Sequence, residues 1–168
     1  MPYEGGETLI FKSENGFYDT IFLNKKDTLF AYPEAPNPFG NTYECLIVSS
    51  LHSSPSSGQI HRYLENVFYE INADKENDGS IKIQLKTFDA TFYQVSRISL
   101  DSLMKIMPLT IKTEISNYDD VYIFSGEDFL GNLYQRDDFV TKLYWSKSRG
   151  LIRYDKKDGK YWELVEVY

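Results

Sequence analysis

The chain has 168 residues, a formal net charge of −7 and an aromatic fraction of 16%, with fourteen Tyr and eleven Phe. The length predicts one domain over residues 1–168. The aromatic content predicts that this domain is β-rich, because aromatic residues favour strands. The acidic balance argues against nucleic acid or anionic lipid as a partner. Since no run of about 18 apolar residues occurs, no membrane-spanning segment is predicted.

The opening residues, MPYEGG, have neither the basic start nor the apolar core of a signal peptide. They predict either a cytoplasmic protein or the processed part of an exported one. Asn15-Gly16 then separates apolar-rich runs at residues 8–13 and 17–23, which is a strong hairpin signal. A two-residue loop would pair Lys12 with Asp19 and Ile10 with Ile21. A polar turn is predicted at residues 24–27.

Further strands are predicted at residues 28–32, 42–50, 63–72, 80–88, 91–95, 109–116 and 121–125. The alternation is clearest at residues 80–88, where Ile81, Ile83 and Leu85 share one face. Pro-rich residues 33–40 predict an extended connection. Ser-rich residues 51–58 predict a surface loop or a binding lid, and residues 117–120 predict a turn.

One short helix is predicted near residues 99–107. Ser99 provides its N-cap, and Pro108 ends it. Its apolar stripe has helical spacing and consists of Leu100, Leu103, Met104 and Met107. We interpret the stripe as the cover of one end of a barrel or sandwich, and contact with a lipid or a partner is the alternative.

Residues 139–146, 151–155 and 160–167 predict three antiparallel strands, with Asp158-Gly159 between the last two. A two-residue loop would place Tyr154 opposite Glu163. A three-residue loop places Tyr154 opposite Trp162 and Arg153 opposite Glu163, and these aromatic and opposite-charge pairs favour it. The three-residue loop leaves Arg153 and Glu163 in solvent. It directs four side chains to the core: Ile152, Tyr154, Trp162 and Leu164. The elements together predict an all-β fold, an antiparallel barrel or a two-layer sandwich with one short helix.

No arrangement typical of catalysis is found, so the sequence does not predict an enzyme. Cys45 is interpreted as a buried strand residue, since a nucleophilic role would require His52 or His61 beside it. Residues 74–81 begin like an EF-hand loop, but Lys82 and Leu85 stand where calcium ligands are needed. Neither a metal nor another cofactor is predicted.

The candidate binding residues are aromatic side chains and paired carboxylates. Clustered tyrosines would form a contact surface for a protein or a cell-surface component. Acidic pairs that converge on one face would attract a basic partner. The aromatic candidates are Tyr32, Phe39, Tyr118, Tyr134 and Tyr168, and the acidic candidates are Asp119, Asp120, Glu127, Asp128, Asp137 and Asp138.

Two parts of the chain, GETLIFKSENG at residues 6–16 and YWSKSRGLIRY with DGKYWEL at residues 144–154 and 158–164, carry a resemblance. The chain resembles small β-rich lipoproteins of the Gram-negative cell envelope. The resemblance implies a periplasmic or outer-membrane-anchored location, with any lipid anchor outside the given sequence. It also implies non-enzymatic binding of a protein or a cell-surface component.

Two other functions stay open. One is a cytoplasmic, acidic immunity-type protein that neutralises a basic toxin. The other is a β-barrel that binds a small apolar ligand.

Overall fold

The structure is a computed structural model that describes residues 2–31, 46–55, 66–73, 79–87, 90–94, 98–128 and 131–168. The strands are β1 (Thr8–Ser13), β2 (Tyr18–Ala31), β3 (Leu46–Pro55), β4 (Asn66–Ala73), β5 (Ser80–Ile83), β6 (Leu85–Lys86), β7 (Thr91–Phe92), β8 (Ile98–Ser99), β9 (Leu109–Lys112), β10 (Asn117–Ser125), β11 (Val140–Ser146), β12 (Gly150–Lys156) and β13 (Tyr161–Val167). The α-helix α1 is Leu100–Met104, and a 3-10 turn is formed by Leu133–Gln135.

Eleven strands form one antiparallel sheet in the order β8-β5-β4-β3-β2-β1-β13-β12-β11-β10-β9, and β6 and β7 form a small second sheet. Within the described residues the large sheet is open, with β8 at one edge and β9 at the other. The predicted all-β fold with one short helix is confirmed, and of the two predicted architectures the open sheet fits the sandwich.

The main core lies on one face of the large sheet. The sheet curls so that its two halves, β8 to β1 and β13 to β9 in the sheet order, both contribute side chains to this core. β7 joins the halves: Thr91 forms a parallel bridge with Phe139, and the Thr91 N–H donates to the Asp138 carbonyl oxygen at 2.7 Å. The core combines side chains of both halves, including Leu9, Phe11, Ile21, Leu23, Ile81, Ile83, Leu85, Phe92, Leu143, Trp145, Leu151, Tyr154, Trp162 and Leu164. The shared face predicted for Ile81, Ile83 and Leu85 is therefore confirmed.

A second, smaller core lies on the outer face of the same sheet. The pairing of β9 with β10 shifts register between Tyr118 and Val121, and such irregularities bend a hairpin. The bent hairpin brings its tip over β13 and β1: the Glu114 N–H donates to the Glu163 carboxylate at 3.0 Å. Beneath it, Val121, Tyr144 and Ile152 pack with Ile111 and Tyr118.

The loop between β1 and β2 contains three residues. The Ser13 N–H donates to the Phe17 carbonyl oxygen at 2.8 Å, and Gly16 has a φ of +81°. Lys12 therefore pairs with Tyr18 and Leu9 with Ile21, so the predicted two-residue loop was wrong by one residue. The observed register places Leu9 and Ile21 together on the buried face, which the predicted register would not.

The loop between β12 and β13 has the same form. The Gly159 N–H donates to the Lys156 carbonyl oxygen at 3.1 Å, and Gly159 has a φ of +85°. Tyr154 pairs with Trp162 and Arg153 with Glu163. The predicted three-residue loop is confirmed.

Two side chains of this C-terminal hairpin face other surroundings than predicted. The register of β11 and β12 shifts between Tyr144 and Trp145, and the bulge sends Leu151 into the main core while Ile152 packs in the second core. Glu163 is buried rather than in solvent, because the tip of the β9–β10 hairpin covers it.

Three segments predicted as loops are strand. Residues 24–27 lie within β2, residues 51–55 within β3 and residues 117–120 within β10. Residues 26–27 pair with β3, residues 51–53 with β2 and β4, and residues 117–118 with β9, and this pairing stabilises them as strand despite their polar sequence. The β9–β10 turn instead spans residues 113–116. The predicted features at residues 33–40, Cys45, His61 and residues 74–78 lie outside the described residues.

The segment before β1 is held over the start of β12. Tyr3 is buried, its hydroxyl accepts the Leu151 N–H at 2.9 Å, and its ring meets Trp145 edge-on at 5.9 Å. Burial raises the pKa of the Tyr3 hydroxyl well above its usual value. Gly150 allows the approach, since it has a φ of +80° and a Cβ there would lie 2.3 Å from the Tyr3 hydroxyl oxygen.

Candidate binding surface

The sheet edge at β9 carries a run of exposed apolar side chains. We name residues 104–112 the edge segment: it contains the end of α1, the connection to β9 and β9 itself. Met104, Ile106, Met107 and Leu109 are all exposed, and Met107 reaches 84% exposure. Contiguous apolar exposure of this kind marks interaction surfaces in soluble proteins.

The local sequence explains why these side chains stay outside. α1 has five residues, and Leu100 and Leu103 already turn its one apolar stripe onto the core. The Ile106 N–H donates to the Leu103 carbonyl oxygen at 3.1 Å, which closes the last turn, and Pro108 prevents further helix. Met104 and Met107, which the sequence predicted to cover the core with the leucines, are therefore left in solvent.

The edge segment continues onto the outer face of the sheet. Leu109 pairs with Val121 on β10, and Ile123, two residues further along, lies on the same face and is also exposed. Ile123 is in turn the cross-strand partner of Tyr144. The apolar surface thus extends from the helix end across β9 and β10.

The outer side of β9 presents main-chain groups that pair with no strand among the described residues. The Thr113 N–H donates to the Ser116 carbonyl oxygen at 2.9 Å, and Ile111 pairs with Tyr118. Hydrogen-bonded and non-hydrogen-bonded pairs alternate along an antiparallel ladder, so the N–H and C=O of Thr110 and Lys112 point away from β10. Since β9 ends the sheet order within the described residues, these groups are open to an added strand.

The edge segment is cationic in an acidic protein. The sequence of residues 104–112, MKIMPLTIK, contains two lysines and no carboxylate, whereas the whole chain has a net charge of −7. The Lys105 Nζ atom lies 3.9 Å from a carboxylate oxygen of Asp101 on α1. Lys112 has no ion pair within the part of the chain that the structure describes.

Next to this surface, a row of six side chains crosses the outer face. Each is the cross-strand partner of the next on successive strands from β10 to β2: Ile123, Tyr144, Arg153, Glu163, Lys12 and Tyr18. The tip of the β9–β10 hairpin contacts the row through Glu114, whose carboxylate lies 3.0 Å from the Lys12 ammonium. The hairpin that carries the edge segment is thereby fixed to the sheet.

Arg153 is the centre of this row. Its guanidinium lies 4.1 Å from the ring centroid of Tyr161 and 5.1 Å from that of Tyr144. It donates to Asp155 at 2.7 Å and to Glu163 at 3.2 Å. Burial, together with a hydrogen bond donated to Asp155 at 2.7 Å, raises the pKa of Tyr144 to about 12. Because these groups satisfy one another, the row stabilises the sheet.

Asp120 organises the turn between β11 and β12. Its carboxylate accepts the Ser146 hydroxyl at 2.6 Å and the Ser148 N–H at 2.8 Å. Partial burial opposes its ionisation, but the hydrogen bonds from Ser146 and Ser148 outweigh this and lower the pKa of Asp120. Asp120 is therefore a structural residue of the turn.

Asp120→Asn is expected to lower the free energy of unfolding by about 1 kcal/mol at pH 7, because the hydrogen bonds to the charged carboxylate are weakened. A pKa lowered by folding stabilises above the unfolded value of about 3.9, and this contribution is lost as the pH falls through the folded value. The difference should therefore shrink as the pH falls below the unfolded value and disappear once the carboxyl is protonated in the folded protein as well.

Urea unfolding of both proteins at pH 7 and at low pH measures this effect. Asp119→Asn is the matched control, since Asp119 is an exposed neighbour on the same strand. An Asp120→Asn deficit that persists unchanged at low pH would contradict the assignment.

A second polar group lies at the opposite end of β10. The Asp138 carboxylate accepts a hydrogen bond from the Arg136 guanidinium at 2.6 Å and another from the Thr91 hydroxyl at 2.8 Å. The hydrogen bond from Arg136 is the main reason that the pKa of Asp138 is lowered. The Asp128 carboxylate accepts the Tyr134 N–H at 3.1 Å, so these residues fix the loop before β11.

The structure separates the residues that the sequence nominated. Tyr118, Asp119 and Asp120 lie at the start of β10, while Glu127, Asp128, Tyr134, Asp137 and Asp138 follow its end. Asp120 and Ser125 are five residue steps apart, about 16 Å along the strand, so the acidic pairs do not converge on one face.

The nominated tyrosines do not form one surface either. Tyr118 is half-buried in the second core, Tyr134 packs against Phe139 with ring centroids 4.8 Å apart, and Tyr168 is exposed beside Thr8. Tyr32 and Phe39 lie outside the described residues. The exposed apolar residues of the edge segment are not among the candidate binding residues, although partner contact of Met104 and Met107 is the alternative that the sequence offers for the helical stripe.

No group of three or more potential metal-ligating side chains occurs among the described residues. One buried polar side-chain atom, Trp162 Nε1, has no hydrogen-bond partner there. It lies on the inner face of the sheet, where the indole stacks on Tyr154 at 6.1 Å.

Comparison of the chain with protein-family models, curated proteins and solved structures finds no match. No helix in the described ranges is long and apolar enough to cross a membrane.

Proposed function

We propose that this protein is a non-enzymatic binding module of the cell envelope, and that it holds a partner protein at the edge segment. The observation that carries the proposal is the exposed apolar run of residues 104–112 at the open sheet edge. Partner proteins bury apolar surface of this kind together with a polar rim. Lys105 and Lys112 provide such a rim at the two ends of the run.

The arrangement of the ionisable groups supports binding over catalysis. Asp120 and Asp138, whose pKa values are lowered, are held in turns by hydrogen bonds. Arg153 is enclosed by two tyrosine rings and two carboxylates. Each of these groups has a structural partner that explains its environment.

The envelope location rests on the resemblance of residues 6–16, 144–154 and 158–164 to β-rich lipoproteins. Fractionation of cells that express the protein from its own gene tests it. Recovery with the envelope supports the location, whereas recovery in the cytoplasmic fraction would favour the immunity-type alternative. That alternative gains no support from the acidic pairs, since they lie at two ends of β10.

A photo-crosslinking amino acid at position 107 is expected to trap one discrete protein partner in the cells that produce the protein. Met107 is the most suitable site because its side chain is 84% exposed in the middle of the edge segment. Gel electrophoresis and mass spectrometry detect and identify the adduct.

The same amino acid at position 17 is the matched control. Phe17 is also apolar and exposed, but it lies at the β1–β2 loop. Adducts of equal yield at both positions, or none at position 107, would overturn the proposal.

A second candidate function is the binding of a small apolar ligand inside the curled sheet. Trp162 Nε1 supports it, because a buried donor without a partner costs free energy that an acceptor atom of a ligand would recover. Native mass spectrometry of protein purified from its own source tests this candidate. A bare protein mass would count against it.

A further inference from the structure

We propose that the partner binds as an additional strand on β9, and that the added segment is extended and alternates apolar with acidic residues. This inference rests on the proposed function, since it specifies how the edge segment holds its partner and what chemistry the partner presents. Strand addition is a known mode of peptide recognition in which main-chain hydrogen bonds provide affinity and alternate side chains provide specificity.

The main chain of β9 provides the hydrogen bonds. Thr110 and Lys112 direct their N–H and C=O groups away from β10, and both residues are exposed. An incoming strand can therefore pair with two residues of β9 without breaking any bond to β10. Pro108 has no N–H, so the added ladder begins after it.

The side chains of β9 specify the alternation. Leu109 and Ile111 lie on one face, and Thr110 and Lys112 lie on the other. Cross-strand neighbours share a face, so a partner residue beside Leu109 enters the apolar surface that contains Ile123. A partner residue beside Lys112 meets an ammonium group that has no ion pair among the described residues.

Charge distinguishes this occupant from a second copy of the chain. Antiparallel pairing of β9 with β9 of a second copy, with Thr110 opposite Lys112, would place the two Lys112 side chains diagonally across from each other on one face. The two like charges repel each other there. An acidic segment instead complements the lysines of the edge segment and is drawn to them in dilute salt.

Thr110→Pro is expected to weaken binding of a ten-residue peptide of alternating valine and glutamate at least tenfold. The substitution removes one outward N–H and leaves the side of β9 that faces β10 unchanged. Fluorescence anisotropy of the labelled peptide measures the dissociation constant. Thr110→Val is the matched control, because it retains the N–H and favours strand.

Lys112→Glu is a second variant that leaves the backbone intact, and it keeps the test decisive if Thr110→Pro does not fold. It should weaken the glutamate peptide at least tenfold and strengthen a peptide in which lysine replaces glutamate. Equal binding of both peptides to the unaltered protein would overturn the acidic specificity.

Two outcomes overturn the strand-addition mode. In one, Thr110→Pro and Thr110→Val bind the glutamate peptide equally well. In the other, the unaltered protein dimerises and Thr110→Pro abolishes the dimer, which makes a second copy the occupant. If position 107 still crosslinks to a partner in either case, the proposed function survives; if it does not, both fail.

Discussion

Gly150→Ala is expected to lower the free energy of unfolding by about 3 kcal/mol, which combines a left-handed backbone cost of about 1–2 kcal/mol with displacement of a buried aromatic ring. Gly150 has a φ of +80°, and an added Cβ would lie 2.3 Å from the Tyr3 hydroxyl oxygen and 2.4 Å from its ring. Tyr3 must therefore leave Trp145, and the Leu151 N–H loses its acceptor.

Urea unfolding followed by tryptophan fluorescence measures this effect, because Trp145 reports the loss of Tyr3. Gly159→Ala is the matched control: its φ is +85°, but nothing lies within 4 Å of the added Cβ. It should lose only the backbone contribution, about 1 kcal/mol. Equal losses in both variants would show that Tyr3 contributes nothing to holding the N-terminal segment.

Arg153→Met is expected to lower the free energy of unfolding by about 2–3 kcal/mol, somewhat less than the loss for breaking a fully buried ion pair. The substitution leaves Glu163 and Asp155, which are mostly buried, without their cation. It also removes the guanidinium between the rings of Tyr144 and Tyr161. Methionine keeps most of the apolar stem of the arginine side chain. The decrease in the free energy of unfolding therefore measures mainly the loss of the positive charge.

Lys160→Met is the control for this variant, since it removes a cation from an exposed pair with Asp158. Exposed pairs contribute little to stability, so almost no change in the free energy of unfolding is expected. Adding Glu163→Gln to Arg153→Met should restore part of the stability, because it removes an uncompensated charge. If the double variant is no more stable than Arg153→Met, the charge explanation is wrong.

The two Gly hairpins show how far sequence determines register. In the C-terminal hairpin, the cross-strand pair of Tyr154 with Trp162 predicts the register that the structure has. In the N-terminal hairpin, the Asn-Gly rule alone predicts a two-residue loop, whereas the observed loop has three residues. Comparing the buried faces there would have favoured the pair of Leu9 and Ile21, which is the observed register.

The bulges and the second core were less accessible to sequence reasoning. The face of the sheet on which Ile152 lies depends on a register shift between β11 and β12. No residue type in that stretch predicts this shift. Burial of Glu163 depends on a hairpin tip that is distant in sequence. Both are tertiary effects that override the local alternation.

The sequence predicts helix up to residue 107 and strand from residue 109, and it offers partner contact of the apolar stripe only as the alternative to covering the core. Helical spacing grouped Leu100 and Leu103 with Met104 and Met107, yet α1 ends at Met104 and only the leucines reach the core. The described acidic candidates are separated for a different reason. Asp119 and Asp120 lie at the start of β10, whereas Glu127 and Asp128 follow its end, and a strand separates its ends by about 3.3 Å per residue.

The pairing of β1 with β13 has a consequence for how the chain acquires its structure. Strands β2–β5 and β9–β12 each pair mainly with neighbours in sequence, whereas the centre of the sheet joins Leu9 to Val167 and Ser13 to Trp162. During synthesis, the free side of β1 stays unpaired until residues 161–167 leave the ribosome. Contacts of such long sequence separation slow folding, and an unpaired strand edge invites aggregation meanwhile. β13, which is made long after β1, thus completes the middle of the sheet.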